Sequence, residues 1–108
     1  MSINKEVLSA LRDIRVPVRF QTYTGNEETY ITFFTYLDRP EQHADDLEIA
    51  TGYYVQIDIW SKSDYTEIAK EVHQSMLTAN FTKLNFYDLY EEDLKIYHKV
   101  MRFFKEVM

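Results

Sequence analysis

Between Gly52 and Ser61 the chain alternates without a break, Tyr53, Val55, Ile57 and Ile59 on one side and Tyr54, Gln56, Asp58 and Trp60 on the other. Successive side chains of an extended chain point to opposite faces, so this run predicts a strand with one face on a core. A helix follows at once. Asp64 with Glu67 three residues on has the form of a capping box, and Ile68, Ala69, Val72, Met76 and Leu77 make an inner stripe that runs to about Asn80.

Around this pair the remaining elements fall into place. Ile3, Val7, Leu8, Leu11 and Ile14 predict a helix over 2–14, with Ser2 as its cap and Pro17 blocking continuation. Two strand-like runs follow, Val18 to Tyr23 and Thr29 to Leu37, rich in β-branched and aromatic residues. The segment Thr24-Gly25-Asn26-Glu27-Glu28 between them fits the loop of a hairpin. Residues 38–50 read as a loop that opens on the turn-like Asp38-Arg39-Pro40-Glu41, and Gly25 and Gly52 both read as turn residues. A short strand is expected over 81–90. The end is ambiguous: Tyr97, Val100, Met101, Phe104 and Met108 make a good helical face. Read with period two, Tyr97, Met101, Phe103 and Val107 share a side that Lys99 and Lys105 interrupt, so pattern alone favours a helix.

At 108 residues, 45% of them hydrophobic and with only two glycines and two prolines, the chain is expected to form a single folded domain over 1–108. It contains no cysteine, which removes disulfides, thiolate zinc sites and cysteine nucleophiles together. No apolar run has the length of a membrane span, and Met1-Ser2-Ile3-Asn4-Lys5-Glu6 lacks the build of a signal peptide. A cytoplasmic protein is the expectation. The net charge of −6 is uneven, because residues 41–60 carry Glu41, Asp45, Asp46, Glu48 and Asp58 with no lysine or arginine. Without a basic stripe there is no footprint for binding a phosphate backbone. These acids also lack the alternating spacing of a calcium loop.

Catalytic, metal and cofactor constellations are not found. His43, His73 and His98 stand far apart with no paired spacing, and two glycines cannot build a phosphate cradle. Asp93-Leu94-Lys95, with Asp58 on a core strand, has the acid-x-lysine form of some metal-dependent nucleases. Yet Asp93 closes the run Glu91-Glu92-Asp93, which reads as a turn between strands. The anomaly is aromatic: nine tyrosines, seven phenylalanines and one tryptophan make 16% of the chain. A small core does not hold all of them, and tyrosine, with an apolar ring and a wet hydroxyl, suits interfaces. Tyr54, Trp60, Tyr87 and Tyr90 are the interface candidates.

The second half of the chain resembles the phage tail completion family, which includes tail-to-head joining proteins and resembles the tail terminators of long-tailed phages. The resemblance rests on Tyr54-Val55-Gln56-Ile57-Asp58-Ile59-Trp60-Ser61, on Asp64-Tyr65 opening a helix through Ile68-Ala69-Lys70-Glu71-Val72, on Asp88-Leu89-Tyr90-Glu91-Glu92-Asp93, and on Tyr97-His98-Lys99-Val100-Met101-Arg102-Phe103. It implies an α+β fold, a small sandwich of two helices on one mixed, mostly antiparallel sheet of four to five strands. It also implies that the last segment is a strand, which is adopted here over the helical pattern. In function it implies a hexameric ring without an active site that caps the tail tube and docks the head connector or neck proteins, with DNA only passing through the bore. Asp45, Asp46 and Glu48 then become candidates for the bore or its rim, where negative charge keeps DNA from sticking. The alternative is a small cytoplasmic protein-binding adaptor or regulatory module.

Overall fold

The structure, a computed structural model, describes residues 2–44 and 47–108. Two helices pack on one face of a single mixed sheet of five strands. The elements are α1 (Ile3–Ala10), β1 (Val18–Phe20), β2 (Thr29–Ala44), β3 (Leu47–Ser61), α2 (Thr66–Thr78), β4 (Thr82–Glu91) and β5 (Ile96–Val107). In space the strands run β1-β2-β3-β5-β4. The α+β class and the terminal strand agree with expectation, and the sequence's helical reading of the end is overturned.

The core lies where alternation placed it. Ile31 and Phe33 of β2, Val55, Ile57 and Ile59 of β3, and Met101 and Phe103 of β5 turn one way. Val7 of α1, Leu11 just beyond it, and Ile68, Val72 and Met76 of α2 come down on them. The first helix is shorter than expected, ending at Ala10, and Ser2 gives it no side-chain cap. Asp64 does serve the second helix: its Oδ1 accepts from the Thr66 amide at 2.8 Å and the Thr66 hydroxyl at 2.6 Å, and these bonds hold its carboxyl below the usual range. Glu67 does not complete a capping box but sits 3.6 Å from Lys70. At the far end Asn80 takes a left-handed φ of 69°. The Asn80 amide then reaches the Leu77 carbonyl and the Phe81 amide the Met76 carbonyl, both at 3.0 Å, a Schellman stop.

Three expectations fail, each for a physical reason. β1 and β2 do not form a hairpin; they are parallel, with Val18 opposite Ile31 and Phe20 opposite Phe33. Gln21 turns sharply at φ 61°, and residues 21–28 carry the chain back to the end where β1 began. Within that return Gly25 lies close under the Tyr23 hydroxyl, so a larger residue there would have to push the end of that ring aside. Residues 38–50 are not a loop either. Both strands of the β2–β3 hairpin run through that stretch, with Arg39 opposite Gly52 and His43 opposite Glu48. Gly52 is therefore a buried mid-strand residue rather than a turn. Register shifts after Thr35 and around Gln42 accompany this extension. The molecule is correspondingly long, 52 × 27 × 23 Å.

Lys105 ties the two ends of the chain together. Its ammonium meets Glu6 Oε1 at 2.5 Å and the Ala79 carbonyl at 2.9 Å, joining β5 to α1 and to the end of α2. The fully buried Ile57, on the strand paired on both sides, is the sensitive point of the core. Ile57→Ala should lower the unfolding free energy by about 2–5 kcal/mol, read from the urea midpoint at unchanged slope.

Candidate functional site

Among the described residues no helix covers the opposite face of the sheet, yet that face is closely packed with paired side chains. Alternation delivers Thr32 and Phe34 from β2, Tyr54, Gln56, Asp58 and Trp60 from β3, His98, Val100, Arg102 and Phe104 from β5, and Tyr87 and Leu89 from β4. Two clusters result.

The first is polar and buried. His98 stands opposite Trp60 across the β3–β5 ladder, and the two rings stack at 3.7 Å between centroids. The indole N–H donates to Thr32 Oγ1 at 3.0 Å. Beneath this lid Asp58 is 4% exposed and His98 8%. His98 Nε2 lies 2.6 Å from Asp58 Oδ1, and His98 Nδ1 lies 3.1 Å from Glu91 Oε1. A carboxylate faces each ring nitrogen, so both must donate, and only the imidazolium has two N–H groups. Burial by itself lowers the pKa of the ring, but the hydrogen bonds and charges of Asp58 and Glu91 outweigh it and raise the value above the ordinary one. The chain of bonds continues from Gln56 Nε2 to Asp58 at 2.9 Å and from Arg102 Nε to Gln56 Oε1 at 3.0 Å. No buried side-chain nitrogen or oxygen among the described residues lacks a partner.

The second cluster is aromatic and open to solvent. Tyr54 packs against Phe104 at 4.9 Å and Tyr36 at 6.0 Å. The Arg102 guanidinium lies over the rings of Tyr36 and Tyr87, at 5.2 and 5.6 Å. Arg39 lies over Tyr54 and donates to its hydroxyl at 3.0 Å. Tyr36, Leu37, Leu84, Tyr87 and Leu89 all stay exposed.

Of the interface candidates, Tyr54, Trp60 and Tyr87 share this face. Tyr90 points to the other side, where it meets Tyr97 at 5.1 Å. Asp45 and Asp46 lie outside the described residues, and for Glu48 only its backbone place in β3, opposite His43, is described. Asp58 is engaged by His98 and Gln56, whereas Asp93 stands in the exposed turn past the Glu91–Ile96 pair, so the two acids of the nuclease pattern do not form one site. Among the described residues no three histidines or acids are placed to hold a metal. His73 is half-buried with Phe86 at its edge, 5.0 Å away. The sequence assigns His98, Arg102 and Tyr36 no role; the β3–β5 register brings the first two to Asp58 and Gln56, and the β2–β3 register brings Tyr36 to Tyr54. Comparison with protein-family models and with curated proteins finds no match for this chain.

The imidazolium makes stability depend on pH with a definite sign. The folded state holds the His98 proton more tightly than the unfolded chain. The contribution is therefore whole below the unfolded value of about 6.5 and is lost as pH rises through the folded one. The urea midpoint should fall between pH 6 and 9, and Asp58→Asn should flatten that fall. His98→Ala, which leaves the buried Asp58 with its Gln56 bond but without a counter-charge, should cost about 3–5 kcal/mol.

Proposed function

We propose that this chain is a structural assembly protein of a long-tailed bacteriophage, a tail terminator or tail-to-head joining subunit that acts without catalysis or cofactor. It works as a homo-hexameric ring that caps the tail tube, stops its growth and docks the head connector. Its partners are copies of itself, the tail tube protein and the neck proteins, with DNA only passing through the bore. Its place is the tail–head junction of the virion, after synthesis in the cytoplasm of the bacterial host.

The observation that supports this most is the open sheet face. A sheet covered by helices on one side only, whose other side carries tyrosines, phenylalanine and two arginines at the surface, has the composition of the buried centre of protein–protein contacts. The motif resemblance supplies the kind of assembly. Asp45, Asp46 and Glu48 take the bore or its rim in this reading, so replacing all three with lysine should stall genome passage and reduce titre.

Deleting the gene from its parent phage and imaging the lysate by negative stain tests the reading. Filled heads beside detached and partly overlong tails are expected. Intact virions at normal titre would remove the proposal and leave the adaptor reading in its place.

A further inference from the structure

Two helices do not span five strands, and the shortfall falls at β4. Eight of its ten residues are exposed and the other two, Phe86 and Glu91, are only half-buried, and on the helix side a groove of about 690 Å³ opens between the start of α2 and the strands β4 and β5. Its floor is apolar: Ala69, Phe86 and Met101. Its surroundings are cationic in a chain of net charge −6. Lys62, Lys70 and Lys99 line it, and Lys83 Nζ sits 4.2 Å over the ring of Phe86.

The acids that line the groove are already committed. Asp64 is bonded to Thr66, while Asp88 accepts from the Tyr65 hydroxyl at 2.6 Å and from Lys99 at 3.2 Å. These bonds hold the Asp88 carboxyl low; burial first, and then Asp88, push the Tyr65 hydroxyl up, so the pair keeps one fixed protonation state. Lys62 and Lys83 meet no carboxylate among the described residues. The occupant that fits is an apolar side chain flanked by free acids.

The same chain presents one. The turn between β4 and β5 stands past the Glu91–Ile96 pair and holds Glu92, Asp93 and Leu94. Leu94 is 68% exposed, the most exposed large apolar side chain among the described residues apart from Met108. Glu92 and Asp93 beside it are exposed and have no cation partner among the described residues. We propose that this turn of one copy docks in the α2–β4 groove of a neighbouring copy, with Leu94 on the Phe86–Met101 floor and Glu92 and Asp93 against Lys62 and Lys83. The docking deepens the self-assembling reading above and rests on it for the identity of the occupant. Burial of Leu94 holds the contact, and the exposed charges set its orientation and its dependence on salt.

The absence of cysteine from the chain gives a clean test. A Lys70→Cys copy is mixed with a Lys95→Cys copy, which keeps Leu94, at high concentration and on tail tubes, and treated with a short bismaleimide. A covalent pair should form, weaken several-fold in 1 M salt, and disappear when the lysine-side copy is paired instead with a Thr78→Cys partner. No product, or equal product with Thr78→Cys, overturns the docking. Negative-stain images of the same tubes separate the two readings. Rings without the 70–95 product overturn this contact and leave the ring, whereas the product without rings keeps the contact and removes the ring.

Discussion

Strand β3 is hydrogen-bonded on both sides, to β2 and to β5, and the alternation of its side chains decides what each face of the sheet becomes. Val55, Ile57 and Ile59 face the helices, so burial there is complete and apolar. The opposite residues of the same strand, Gln56, Asp58 and Trp60, face away and must be satisfied without a covering layer. They find partners across the ladders: His98 and Arg102 on β5, Thr32 on β2. A one-residue slip of β5 against β3 would put His98 and Arg102 against the helices and Met101 and Phe103 on the open face, so the network and the core enforce one register together.

That division of labour explains why a buried ion pair sits on the face that lacks helices. A buried pair contributes little net stability, because desolvation offsets most of the Coulomb attraction, but breaking it is costly. Glu91 on β4, His98 on β5 and Asp58 on β3 therefore fix three strands against sliding rather than adding to the total. The aromatic cluster beside them, by contrast, stays wet and open to a partner.

How much of this was readable depended on whether a residue's surroundings are set by its own strand. The step from β3 to α2 was legible because one face of each is buried and each period stands out. β5 was not, because it is buried on both faces: Met101 and Phe103 under the helices, Val100 and His98 on the other side, which erases a period of two. The acidic stretch around residue 40 read as a loop since nothing in it could pack in a core; a two-stranded arm beyond the core needs no such residues. The direction of β1 left no trace in composition at all, because parallel and antiparallel strands of three residues look alike. The buried network was invisible for a simpler reason. Asp58 and His98 are 40 residues apart, and only the register makes them neighbours.

The clasp at Lys105 has a bearing on how the chain is made. It joins Glu6 to a residue 99 positions later, and its second bond goes to the end of α2. The first helix leaves the ribosome early, but it has only eight residues, too few to hold its shape alone in water. Its anchors, α2 and the last strand, are synthesised long afterwards. Folding therefore waits on the final segment of the domain, and a nascent chain stopped short of β5 keeps its opening segment loose and its central strand half paired, a state suited to capture by chaperones or proteases.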